Sequence, residues 1–202
     1  MKDHARPGLV TLETDTPPWE RAFGVNPLVL IGTRERGGGY DLAPKHAAFP
    51  LGWGEYFGFV CTPRHGTYHN ARREGAFTVS YPRPTQVVLT SLAASPREAG
   101  GSKPLLEALD TFPADLVDGV FVDDAYLFLE CALDRVVDDF GENSLVCGRI
   151  LAAHVREDYL RVSERDDGDL IHDSPLLAYL SPGRYARITE SYSFPFPAGF
   201  MR

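Results

Sequence analysis

Residues 125–155 read AYLFLECALDRVVDDFGENSLVCGRILAAHV. The flanks, Ala125–Val137 and Ser144–Val155, are long runs of β-prone residues, and Asp138, Asp139, Phe140, Gly141, Glu142 and Asn143 between them form a turn cluster. The stretch reads as two antiparallel strands joined by a tight connection. Working outward, shorter runs of the same kind recur at Pro27–Thr33, Tyr40–Ala43, Tyr56–Cys61 and Ala76–Tyr81. Another strand is expected over Leu176–Ile188, broken by Ser181, Pro182 and Gly183. Gly37, Gly38 and Gly39 supply the positive φ of a hairpin between the first two runs, and Pro44 is expected to stop the return strand. Helix signals are few: Thr67 to Glu74 with Gly75 as its stop, then 84–95 and 103–111. The tail, Ser193 to Phe200, interleaves aromatics with prolines and is expected to be extended. Regular alternation of strand and helix, the mark of a parallel sheet, is missing. The fold class is therefore mainly β: an antiparallel barrel with a few peripheral helices.

At 202 residues the chain suits one large domain, and 44% hydrophobic content is enough to fill a core. Residues 1–18, with breakers at Pro7, Pro17 and Pro18, read as a flexible leader before a single domain over 19–202. Twenty basic residues against 28 acidic ones leave a net charge of −8, which argues against a nucleic-acid partner. No apolar stretch approaches membrane-spanning length and no secretory leader is visible, so no membrane partner is expected. Cys61, Cys131 and Cys147 are too few for a disulfide framework, and an odd count of thiols suits a reducing cytoplasm.

Several chemistries are missing. There is no dinucleotide-binding Gly-x-Gly-x-x-Gly after a strand, no phosphate loop ending in Gly-Lys-Ser/Thr, and no Gly-x-Ser-x-Gly elbow. The acidic groups Asp123 and Asp124, Asp138 and Asp139, and Asp166, Asp167 and Asp169 fall in turn-like sequence, where solvation explains them. The densest polar segment is residues 61–73, CTPRHGTYHNARR, which leaves a strand and enters a helix. A helix start offers unpaired N–H groups and a positive dipole end, and Arg64 and Thr67 add donors there, so the segment can seat a phosphate. The plainer reading is that Thr67 caps the helix while Arg64, Arg72 and Arg73 are surface charges. Cys61, His65 and His69 recur at i, i+4, i+8 and would share a face of one helix as metal ligands. Pro63 and Gly66 oppose such a helix, so no metal is expected. A second polar cluster, Tyr40 to His46, places Lys45 and His46 beside a proline, either facing a ligand in the barrel mouth or decorating a solvent loop.

In this order and spacing the two clusters resemble the flavin reductase-like family of FMN-binding split-barrel proteins. Asp41-Leu42-Ala43-Pro44-Lys45-His46, after Val29-Leu30-Ile31-Gly32-Thr33, matches a family segment close to Asn-Leu-Ala-Pro-x-Ser. Thr67-Tyr68-His69-Asn70, followed by Gly75-Ala76-Phe77, matches its Thr-x-x-Asn helix start leading to Gly-x-Phe. Glu130 to Leu133, Val146 to Ile150 with His154 and Val155, and Pro175-Leu176 with Arg184-Tyr185-Ala186 look like the late strands and closing segment. The likeness runs over residues 24–190.

The resemblance implies a split β-barrel homodimer with FMN near the subunit interface and NAD(P)H as electron donor. It places Leu42, Ala43 and Pro44 along the flavin, with Asp41, Lys45 and His46 nearby. Arg64 and Thr67 would reach the phosphate, Asn70 would brace the helix start, and His46 is the candidate catalytic residue. Asp41 replaces the usual Asn and His46 the usual Ser, and an ionised Asp only accepts hydrogen bonds whereas Asn also donates. The implied activity is hydride transfer from NAD(P)H to flavin, with a second flavin, a partner oxygenase, oxygen or a small molecule as outlet. The alternative is a non-catalytic FMN-binding sensor or electron carrier, and a third reading is a metal-dependent enzyme built on Cys61, His65 and His69.

Overall fold

The hairpin that opens the sequence reading is the longest feature of the chain: β9 (Leu127–Phe140) pairs antiparallel with β10 (Asn143–Val155) in the computed structural model, which describes residues 7–95, 103, 106 and 108–200. Strand pairing extends Asp138 and Asp139 into β9, so the turn is tighter than the sequence cluster implied. The remaining strands are β1 (Gly24–Pro27), β2 (Val29–Arg34), β3 (Tyr40–Lys45), β4 (Ala48–Pro50), β5 (Tyr56–Cys61), β6 (Ala76–Tyr81), β7 (Thr111–Pro113), β8 (Val120–Val122), β11 (Leu176–Ser181) and β12 (Arg184–Ile188). With β9 and β10, five of these form one seven-stranded antiparallel sheet in the order β3-β2-β6-β9-β10-β5-β4. β1, β11 and β12 make a second sheet, and β7 with β8 a third. This is a mainly β split barrel, as expected. Among the described residues three helices with both ends defined lie outside it: α1 (Gly66–Glu74), α2 (Val87–Leu92) and α3 (Asp167–Asp173). No described helix is long and apolar enough to cross a membrane.

The strand alternation explains the curl of the sheet. Val29 and Ile31 of β2 face a core shared with Phe57, Phe59, Phe77, Val79, Leu129, Cys131 and Val146. Leu30, between them, faces the opposite layer with Leu42, Ala93, Leu109, Val120 and Val122. A strand buried on both faces reads as a continuous apolar run, and β2 does. Each such side chain contributes roughly 1.5–3 kcal/mol on leaving water. Phe59 and Phe77 meet edge to face at 5.2 Å, and Gly148 lets them: a Cβ there would stand 2.5 Å from the Phe77 ring.

Several boundaries differ from the sequence reading. Pro27 does not belong with Val29–Thr33; it ends β1, which pairs with β11 in the other sheet. Pro44 does not stop its strand. β3 continues to Lys45, with Pro44 opposite Leu30, because β3 is an edge strand where a missing N–H costs no ladder bond. Only six residues of 84–95 form an α-helix, after a 3₁₀ turn at Pro84–Gln86. Of the helix expected over 103–111, residues 104, 105 and 107 lie outside the described residues; Leu106 is helical, 108–110 are turn, bend or irregular, and Thr111 belongs to β7. Asp166, Asp167 and Asp169 are not a loop cluster: the Asp166 carboxylate caps α3, accepting N–H groups of Gly168 and Asp169. Among the described residues of the leader, 7–17 hold no helix or strand.

Candidate flavin site

α1 starts where the sequence places it, one residue before Thr67, and ends at Gly75, whose φ of 66° is the left-handed cap that glycine adopts freely. One face, Thr67, Tyr68, Asn70 and Ala71, is buried against the barrel. His65 at the N-cap contributes no side-chain bond, and the amides of Gly66 and Thr67 find no acceptor among the described residues. The helix therefore presents free donors and its positive end to whatever lies in front.

In front lies a cleft of about 480 Å³. Asp41, Ala43, Pro44 and Lys45 of β3 form one wall, Arg64, His65, Gly66 and Thr67 the second, and Ala93, Ala94, Ser95 and Lys103 the third. The two polar clusters, about twenty positions apart in sequence, thus line one cleft. Lys103 is the residue that sequence reasoning missed. Its ammonium donates to the Asp41 carboxylate at 3.2 Å and to the Leu42 carbonyl at 3.2 Å. A single lysine after a Gly-Gly-Ser run carries no pattern that would have marked it. The Thr67 hydroxyl makes a long contact, 3.5 Å, to the other Asp41 oxygen. Three cationic side chains, Lys45, Arg64 and Lys103, surround this one cleft in a chain of net charge −8.

Three expected residues stand differently. Leu42 turns its side chain into the layer of Leu30, Ala93 and Leu109, so only its backbone faces the cleft wall. Asn70 does not line the cleft. Its amide donates to the Thr33 hydroxyl at 3.2 Å and its carbonyl accepts from Arg73 at 2.9 Å, which pins α1 to β2. Arg64 lines the cleft, yet its guanidinium also pairs with Glu142 at the tip of the β9–β10 hairpin, both side chains exposed.

His46 lies in a neighbouring cleft of about 440 Å³ that meets the first at Pro44 and Ala94. Its ring packs against Tyr179 at 4.6 Å between centroids. Partial burial, then the Lys45 charge, hold the imidazole below the ordinary histidine pKa, so it is neutral near pH 7. His65 is lowered in the same way, by burial first and Lys45 second.

The metal reading fails on geometry. Cys61 ends a strand, His65 precedes α1 and His69 is on it, so the three never share a helix face. Burial also pushes the Cys61 thiol up, against thiolate ligation. Among the described residues the metal-type side chains that converge are Asp115, Glu130 and His154, with ligand atoms within 4.8 Å of one another. There the Glu130 carboxylate is already filled, accepting N–H groups of Asp115, Leu116 and Val117 at 3.2, 2.6 and 3.0 Å, with the His154 ring at 3.3 Å. It anchors the loop before β8.

The mainly β split barrel thus sets an uncapped helix start against an Asp-Leu-Ala-Pro edge strand across one cleft. The chain belongs to the family of the flavin reductase like domain, whose profile matches residues 24–186. Comparison with the curated proteins finds no match. Among solved structures it is similar to 2-nitrobenzoate 2-nitroreductase from Pseudomonas fluorescens, with a TM-score of 0.76, 21% identity and 95% of each chain covered. It is also similar to nitrilotriacetate monooxygenase component B from Bacillus cereus: TM-score 0.79, 16% identity, 94% of this chain and 100% of that one. A third structure, from Shewanella frigidimarina and described as a flavin reductase with a split barrel domain, gives 0.75, 17%, 86% and 87%. At these identities the likeness shows the fold.

Proposed function

We propose that the protein is an FMN-binding oxidoreductase of the flavin reductase type, taking hydride from NAD(P)H. The observation that carries this reading is the cleft that sets the uncapped start of α1, with Arg64, Lys45 and Lys103, against Ala43 and Pro44 of β3. Its donor set fits a phosphoester at one end, and the small apolar residues Ala43, Pro44, Ala93 and Ala94 leave room for a flat ring at the other. The residues that would hold FMN are Thr67, Arg64 and the amides of Gly66 and Thr67 at the phosphate, with Asp41, Leu42, Ala43, Pro44 and Lys45 along the ring and its chain. Asn70 positions the helix through Thr33, and Lys103 keeps the Asp41 carboxylate neutralised beside the anion.

The bound flavin supplies hydride and electron transfer, so the protein needs neither nucleophile nor triad. The chain's own contribution is binding, orientation and water exclusion. Neutral His46, one residue past β3 and beside Pro44 in the adjoining cleft, is the proposed proton-handling group. We place the working form as a homodimer in the reducing cytoplasm. Its outlet is a second flavin, oxygen, a small molecule or a partner oxygenase, the last in keeping with the likeness to a monooxygenase component B.

The test is the absorption spectrum of the purified chain before and after adding FMN, followed by NADH and NADPH oxidation. Saturable FMN binding with steady turnover supports the proposal. FMN binding without turnover leaves a sensor or carrier, and no binding ends the flavin reading.

A further inference from the structure

The second cleft contains chemistry that FMN binding does not use. The His46 and Tyr179 rings are tilted by 32° at 4.6 Å, and Tyr185 and Val87 of α2 also line the cleft. Such a wall favours a flat π system, which gains ring contacts that an aliphatic body of equal area does not. Arg184 of β12 lines the same cleft, and its guanidinium makes no ion pair or hydrogen bond among the described residues. Thr90, also in the lining, is fully buried, and its hydroxyl is one of two buried side-chain polar atoms without a partner among the described residues. A buried hydroxyl left unpaired is costly, so its persistence points to a ligand that satisfies it. An apolar cleft with few, specific polar groups is the usual form of a small-molecule site.

We propose that this cleft binds planar aromatic carboxylates, with the ring against Tyr179 and His46, the Arg184 guanidinium as counter-charge and the Thr90 hydroxyl as donor. Arg184 suits a carboxylate because its fork matches two oxygens, and guanidinium tolerates the aromatic surroundings. The shared boundary at Pro44 and Ala94 puts such a molecule next to the ring end of the first cleft. That adjacency to a flavin rests on the function proposed above, whereas the ligand chemistry of the cleft does not.

The experiment is calorimetric titration of the purified chain, with and without FMN, using benzoate, benzamide and cyclohexanecarboxylate as probes. Benzoate is expected to bind in both conditions, and both comparators at least tenfold more weakly. Arg184→Met, an exposed position that leaves the fold intact, is expected to weaken benzoate at least tenfold while FMN affinity stays within twofold. Thr90→Val, of equal volume, is expected to weaken benzoate several-fold with an unchanged circular dichroism spectrum. Absence of benzoate binding, equal binding of benzamide, or indifference to Arg184→Met overturns the proposal. So does a parallel loss of FMN affinity in Arg184→Met, which assigns the cleft to the flavin. If FMN fails to bind at all, the benzoate arm on the flavin-free chain still reads the cleft independently.

Discussion

The Lys103 ammonium stands 3.2 Å from the Asp41 carboxylate, and both side chains are less than a tenth exposed. A pair this dry is weak evidence for stability as a unit, but removing one partner strands the other charge. Lys103→Met is therefore expected to destabilise the fold by about 3 kcal/mol and to weaken FMN binding, because the Asp41 carboxylate then faces the phosphate with one cation fewer beside it. Asp41→Asn leaves a neutral side chain beside the same cation and is expected to tighten FMN binding. Urea melts and flavin fluorescence titrations measure the two effects separately. Opposite signs for the two substitutions on FMN affinity are the outcome required.

Arg64 divides its guanidinium between the cleft and Glu142. Arg64→Ala removes a charge-assisted contact to the phosphate worth about 1.5–3 kcal/mol, roughly ten- to hundredfold in Kd. Glu142→Gln releases Arg64 from an exposed pair that contributes little to stability, so FMN affinity is expected to hold or rise slightly. Affinity unchanged in Arg64→Ala would remove this residue from the site.

Partial burial and the Lys45 charge depress the His46 pKa. The imidazole is expected to titrate below 6.5, visible as a shifted ring-proton resonance, and to move back toward 6.5 in Lys45→Met. His46→Ala should keep FMN bound while altering turnover or flattening its acid limb. Because a depressed value means the folded state takes the proton less readily, this group's contribution to stability is lost as pH falls below 6.5.

For Glu130, burial alone would push the carboxyl up, but the amides of Leu116, Asp115 and Val117 and the His154 ring hold it below the ordinary value of 4.5. Its stabilising contribution is full above that value and is lost as pH falls through the lower folded one. Glu130→Gln is expected to cost about 3 kcal/mol at pH 7 and to flatten the acid side of the stability curve. Denaturant midpoints between pH 3 and 7 provide the check.

The fold was legible in sequence because strand alternation and turn residues are local: 125–155 declares a hairpin, and the apolar run at Val29–Ile31 declares a strand buried on both sides. Where local signals misled, the sheet overrode them. Pro44 terminates a strand only if its N–H is needed, and at an edge it is not. The short strands β4, β7 and β8 were invisible because three residues carry no periodicity of their own. The first wall of the site, Asp41 to Lys45, and the helix start at Thr67 were both readable as chemistry waiting for a partner.

Sequence alone determined the longer strands, the open start of α1 and the Asp-Leu-Ala-Pro segment, since each depends on neighbours a few residues away. Only the tertiary structure decided that Lys103 neutralises Asp41, that Asn70 braces Thr33 instead of lining the cleft, and that His46 meets Tyr179 in a second cleft. Those contacts join residues 37 to 133 positions apart, and such distances are closed by the packing of the whole barrel, which no local pattern encodes.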